Sequence, residues 1–193
     1  NMKKLVTGFL LVLIAFSMAA QASAVNEEQG SGPEIKTKSG IVRGVTKDDV
    51  TIFKGIPFAA PPVGEFRWRP PQPVKAWEGV RDAISYGANC AQTGWGAAPG
   101  TIAEGSSEDC LYLNLWMPAQ AKPGAKLPVM VWIHGGGNTI SEAGFYDGGN
   151  LAATENVVVV TINYRLGPFG WFRHDALRAD AVNAPEQSGN FAQ

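Results

Sequence analysis

Two short runs, Val129-Met130-Val131-Trp132-Ile133 and Val157-Val158-Val159-Val160-Thr161-Ile162, limit the choice of folds more than any other feature. Each is apolar almost without interruption, whereas a strand with one wet face alternates apolar and polar residues. Runs of this kind are expected of strands buried on both faces, as in a parallel sheet covered by helices. Parallel neighbours need a crossover, and the interval between the runs is long enough to hold one, with residues 150–155 expected as the end of its helix. Upstream the pattern changes. Residues 40–45 and 50–55 read as a short hairpin around Lys47-Asp48-Asp49. Six prolines within residues 57–73 exclude a regular element and predict an extended surface wrap. Trp68 and Trp77 are expected to pin that wrap to the body. Residues 111–116 read as a further strand, stopped by Pro118. The fold class is therefore α/β, with an antiparallel start feeding a mostly parallel sheet.

The first two dozen residues do not belong to that sheet. Lys3 and Lys4 precede an uninterrupted apolar run at residues 9–16, and Ala22-Ser23-Ala24 then supplies the small-x-small pattern of a signal-peptide cleavage site. The apolar run is too short to cross a hydrocarbon core of ~30 Å. Residues 1–24 are thus expected to be a signal peptide cleaved after Ala24, with the protein secreted or periplasmic and without a stable membrane anchor. In such a compartment Cys90 and Cys110 are expected to form a disulfide, the alternative being two buried thiols. Charge narrows the function further. Lys and Arg number 16 against 17 Asp and Glu, for a net charge of −1, and no basic block is present to neutralise phosphates, so nucleic acid is not an expected partner. With only two Cys and two His, a four-ligand zinc site is not expected either.

Chemistry concentrates at His134-Gly135-Gly136-Gly137, immediately after the first apolar run. Glycine accepts backbone conformations that other residues resist, and nothing covers its N–H group. A loop of that kind at the carboxyl end of a strand can aim two amides at one developing negative oxygen. A phosphate loop fits less well, since neither G-x-x-x-x-G-K-[ST] nor a G-x-G-x-x-G after either apolar run occurs.

Glu108-Asp109-Cys110-Leu111-Tyr112-Leu113-Asn114-Leu115, followed by Pro118, resembles a sequence signature of type-B carboxylesterases, the family that includes the cholinesterases. Residues 55–64 with Arg67-Trp68-Arg69-Pro70-Pro71 resemble the family's N-terminal wrap. Residues 131–137 resemble its oxyanion strand and loop, and Asn163-Tyr164-Arg165-Leu166-Gly167 the end of its next strand. The resemblance runs from about residue 35 to residue 193. It implies an α/β-hydrolase fold, a Ser-Glu-His triad, hydrolysis of small-molecule carboxylic esters and no metal or organic cofactor. It also implies that Gly136 and Gly137 supply two oxyanion donors, with His134 and Gly135 shaping the loop.

The sequence also departs from the family pattern: no G-x-S-x-G nucleophile elbow occurs in it. In the family that elbow lies downstream of the segment resembling Ser188-Gly189-Asn190-Phe191. Residues 25–193 are therefore expected to be the N-terminal part of a single α/β-hydrolase domain, without nucleophile, triad acid or triad His. His174 is expected on the surface, and Glu108 and Asp109 in structural contacts. Asn138 stands where relatives often carry an aromatic residue, which predicts a less apolar acyl pocket, and Trp95 is expected to pack in its loop. The strand partner that would flank residues 129–133 is not among these residues, so that apolar strand is expected to lie at an open edge. A non-catalytic cholinesterase-like adhesion protein is the alternative from another functional class; retention of all three glycines favours the enzyme.

Overall fold

The computed structural model describes residues 32–94, 96, 98, 100–179 and 181–192, which from Glu34 onward belong to one unit, Glu34–Gln193. The expected signal peptide and Trp95 lie outside the described residues. A five-stranded mixed sheet forms the body. Its strands are β3 (Val45–Lys47), β4 (Val50–Pro57), β8 (Tyr112–Pro118), β9 (Val129–Ile133) and β10 (Val158–Ile162), in the order β3-β4-β8-β10-β9. The first three pairings are antiparallel, and β10 with β9 is parallel, Val158 facing Val129 and Ile162 facing Ile133. A smaller sheet of order β1-β2-β5 combines β1 (Glu34–Lys36), β2 (Ile41–Arg43) and β5 (Val80–Asp82). The strands β6 (Asn89–Cys90) and β7 (Ser106–Ser107) form a short parallel pair.

The hairpin expected over residues 40–55 is shorter than its apolar pattern. Only β3 pairs with β4, Thr46 opposite Thr51, across the Asp48-Asp49 turn, while β2 leaves for the small sheet. Gly44 is the point of division. A methyl group there would lie 2.4 Å from the Ile52 carbonyl oxygen and 2.8 Å from the Phe53 ring, so the chain crosses β4 closer than any larger residue permits. Further along, β4 slips register against β8 between Phe53 and Ile56. Such a bulge frees a backbone N–H, and here the side-chain oxygen of Asn114 accepts it from Gly55 at 3.0 Å. The amide nitrogen of Asn114 donates to Thr161 Oγ1 at 3.1 Å, so one buried side chain ties β4, β8 and β10.

Three apolar clusters hold these layers. Val42, Phe53 and Ala83 pack between the two sheets with Trp77 at their margin. Trp116, Val50 and Val159 lie beneath the helix α1 (Gly149–Glu155), which buries Ala152 against them. Ala59, Cys90, Cys110, Leu111, Tyr164 and Leu166 form the third, beside the site. The proline-rich segment runs over the surface without regular structure apart from a single turn at Gly64–Phe66. Trp68 donates to the Pro168 carbonyl at 2.8 Å and Trp77 to that of Ile41 at 3.0 Å, which is the pinning expected of them.

Burial of β9 departs from the continuous-run pattern. All five residues are exposed, between 50% and 63%; β9 forms the edge of the sheet, and among the described residues its second side has no strand. The neighbouring β10, flanked by β8 and β9, alternates half-buried and buried positions. Double-sided apolar character thus marks a strand suited to burial, not one already buried within these residues. The open edge agrees with the expectation drawn from the absent strand partner.

Candidate active site

The loop that leaves β9 begins with a buried anchor. His134 is 2% exposed, and its ring stacks on Tyr164 with centroids 4.4 Å apart. Its Nδ1 lies 2.8 Å from the Gly135 carbonyl oxygen, which can only accept, so Nδ1 carries the proton. Burial pushes the imidazole below its ordinary value, the Gly135 hydrogen bond opposing that shift, and the ring is neutral. The Tyr164 hydroxyl donates to the His134 carbonyl at 2.7 Å. A stacked ring held through Nδ1, with the Tyr164 hydroxyl on the backbone carbonyl of the same residue, suits a structural role in the loop.

The three glycines that follow are exposed. Gly136 has a φ of 115° and Gly137 of 62°, values that favour glycine. A methyl group on Gly136 would lie 1.9 Å from the Ile140 carbonyl oxygen, so the turn closes at this residue. The Gly136 carbonyl accepts from the backbone N–H groups of Thr139 and Ile140, at 3.1 and 3.2 Å, and from the Thr139 hydroxyl. No acceptor among the described residues takes the N–H of Gly136 or Gly137. Asn138 is exposed with a φ of 63°, and its carbonyl accepts from Gly167 at 2.7 Å.

The loop is braced at both ends by segments distant in sequence. Ser141, held at a φ of 98°, pairs through its backbone N–H and C=O with the side-chain amide of Gln92, at 2.8 and 3.0 Å. Asn163 accepts from Ala143 at 2.8 Å and donates to the Ala88 carbonyl at 3.1 Å. The Cys90–Cys110 disulfide is present, with Cα atoms 4.9 Å apart, and Gln92 stands two residues beyond it. Sequence reasoning singled out the disulfide and the glycines but gave no role to Gln92, Asn163 or Tyr164. The Asn163-Tyr164 pair at a strand end was a usable signal, whereas Gln92 carried none.

Glu108, Asp109 and His174 fall where expected. Glu108 forms a two-pronged ion pair with Arg67, and Asp109 accepts from the Tyr112 hydroxyl at 2.9 Å. His174 is exposed and caps a short helical turn by accepting from Ala176. Arg165 is 3% exposed, donates to the Arg69 carbonyl at 3.0 Å, and is held by burial at a pKa of about 10. Among the described residues no cluster of His, Cys, Asp or Glu could hold a metal ion, and no helix is long and apolar enough to cross a membrane. An apolar groove of about 370 Å³ runs along β9, lined by Met130, Trp132, Phe145, Tyr146 and Leu151; Gly135, Gly136 and Gly137 do not line it.

The mixed sheet, the parallel pair at its end and the glycine loop after β9 define a partial α/β-hydrolase fold. Solved carboxylesterases share it. A carboxylesterase of Geobacillus stearothermophilus superposes with a TM-score of 0.70 at 42% identity, over 82% of this chain and 31% of its own. A PNB esterase does so with a TM-score of 0.68 at 41% identity, over 82% and 32%. In sequence, the profile of the carboxylesterase family matches residues 31–184, and the chain belongs to that family. Fumonisin B1 esterase of Sphingopyxis macrogoltabida is 48% identical over 157 residues, 80% of this chain and 28% of that protein. Cocaine esterase of Oryctolagus cuniculus is 48% identical over 160 residues, 75% and 30%. Para-nitrobenzyl esterase of Bacillus subtilis is 46% identical over 140 residues, 71% and 28%. The chain thus spans less than a third of the length of these relatives.

Proposed function

We propose that the chain is the N-terminal part of an exported, serine-dependent carboxylic-ester hydrolase, and that the Gly136 and Gly137 N–H groups form part of its oxyanion hole. A serine hydroxyl from polypeptide outside these residues attacks the ester carbonyl carbon, and the carbonyl electron pair moves onto oxygen. A histidine takes the serine proton and passes it to the departing alcohol. Water then repeats the attack on the acyl-serine and releases the acid. Two fixed amides stabilise the negative oxygen in both steps. The observation that carries this reading is the glycine pair itself: exposed, in conformations that suit glycine, with N–H groups unused and the surrounding loop fastened at four points. Esterase names among the relatives point the same way.

The test removes the donor without changing the turn. In the full-length protein, Gly136→glycolic acid or Gly137→glycolic acid replaces one N–H with an ester oxygen. Turnover of a p-nitrophenyl ester should fall about 10²- to 10³-fold with KM little altered. A change in KM alone would make the glycines a turn and nothing more. Export is tested separately: secreted material should begin at Val25, and retention of Lys3 and Lys4 in a membrane fraction would contradict cleavage. A full-length chain whose elbow lacks serine would support an adhesion protein instead.

A further inference from the structure

We propose that Gln92 is a positioning residue for the oxyanion loop, carrying the fixed geometry of the Cys90–Cys110 segment to Gly136 and Gly137. The inference rests on the esterase reading above. The turn that presents the glycines is not self-supporting. Gly136, Gly137, Asn138 and Ser141 all have positive φ, and at Ser141 the value of 98° is one that L side chains rarely adopt. A conformation of that kind persists only where its surroundings over-determine it. Gln92 provides the constraint. Its Oε1 accepts from the Ser141 N–H at 2.8 Å and its Nε2 donates to the Ser141 C=O at 3.0 Å, so one planar amide matches both polar groups of one residue.

Gln92 is itself tied down. The same Nε2 donates to the Cys90 carbonyl at 3.0 Å, and the Gln92 carbonyl accepts from Ala103 at 2.8 Å. Cys90 is bonded to Cys110, both are buried, and Cys110 leads directly into Leu111 and β8. The next link is as short. Ser141 follows Ile140, whose N–H bonds the Gly136 carbonyl and whose own carbonyl oxygen fills the space beside the Gly136 α-carbon. A shift of the Ile140–Ser141 peptide therefore moves Gly136 directly. Gln92 contacts neither glycine, so its influence passes through Ser141.

The amide is chemically specific. Leucine has the bulk but no polar atoms, and an ionised glutamate accepts from Ser141 but confronts the Ser141 and Cys90 carbonyls with a negative oxygen. In the full-length protein, Gln92→Leu and Gln92→Glu should each lower kcat for a p-nitrophenyl ester by about 10- to 100-fold with KM within about twofold, as for a donor displaced by a fraction of an ångström. Affinity for a trifluoromethyl ketone, which forms the tetrahedral adduct, should fall by the same factor, while the matching methyl ketone binds as before. Both variants should remain folded at the assay temperature, and if Gln92→Leu does not, Gln92→Glu carries the test. Unchanged kcat in a folded variant would overturn the inference. So would parallel losses of turnover and of both ketones, which mark a purely structural residue. A wild-type protein with a serine elbow and no ester turnover would instead remove the esterase reading, and this inference with it.

Discussion

Gly136 and Gly137 are adjacent, yet a methyl group would meet very different surroundings at each. At Gly136 it collides with the Ile140 carbonyl, whereas at Gly137 the nearest atom is Thr139 Oγ1 at 4.0 Å. On the proposed oxyanion role, Gly136→Ala should therefore open the turn and cost at least 100-fold in kcat/KM, roughly the effect of misplacing a catalytic group by 1 Å. Gly137→Ala bears only the strain of its positive φ, about 1–2 kcal/mol, and should leave an enzyme within about tenfold of the original. Steady-state kinetics on the two full-length variants checks the difference. His134 adds a pH dependence. Its folded pKa lies below the ordinary value of 6.5, so below about pH 6.5 the unfolded chain takes up a proton that the folded chain refuses. The stability His134 contributes is present above that pH and is lost as pH falls. Thermal unfolding of His134→Phe, which keeps the stacked ring without a titrating nitrogen, should show a shallower acid slope than wild type between pH 6.5 and 5. At this scale the sequence was legible where neighbours in the chain act together, as in His134-Gly135-Gly136-Gly137. It was silent on Gln92, whose partner Ser141 lies 49 residues away.

Among the elements, apolar patterning located the strands well and their surroundings less well. The runs before and after α1 became β9 and β10, but hydrophobicity alone does not report which strand lies at an edge. The alternation near residue 45 concealed a break, because a pattern of period two continues unchanged when a chain passes from one sheet to another. Gly44 marks that break by its contacts and not by its neighbours in sequence. Gly44→Ala should force the crossing away from Ile52 and Phe53 and destabilise by about 1–3 kcal/mol, the usual range for overpacking; the denaturant midpoint should fall with the m-value unchanged. The disulfide was legible because the export expected from sequence and the cysteine count together leave little choice. Non-reducing peptide mapping of the full-length protein should join the peptides that carry Cys90 and Cys110.

For the whole molecule, the exposed β9 is the governing feature. Five apolar residues at an edge that no strand among the described residues covers invite strand addition by another chain. Leaving several such side chains in water forgoes about 1.5–3 kcal/mol each, which in sum rivals the net stability of ~5–15 kcal/mol typical of a domain. Residues 25–193 expressed alone should therefore aggregate, lack a sharp thermal transition and cleave no p-nitrophenyl ester; a soluble monomer with cooperative unfolding would contradict this. The fold class and family were legible across nearly all of the chain beyond residue 35, since the glycine loop and the signature around Cys110 are local in sequence. The sheet order was not, because nothing local states which strands become neighbours. That order has a consequence in time. Between β8 and β9 in space stands β10, which is the last of the three to be synthesised. As the chain emerges, β8 and β9 cannot use each other and must both wait for a strand that begins 25 residues after β9 ends, so the sheet closes by insertion and not by growth at one margin. A nascent chain arrested before Val158 should be cut by protease within residues 129–133, whereas the completed full-length protein should be protected there.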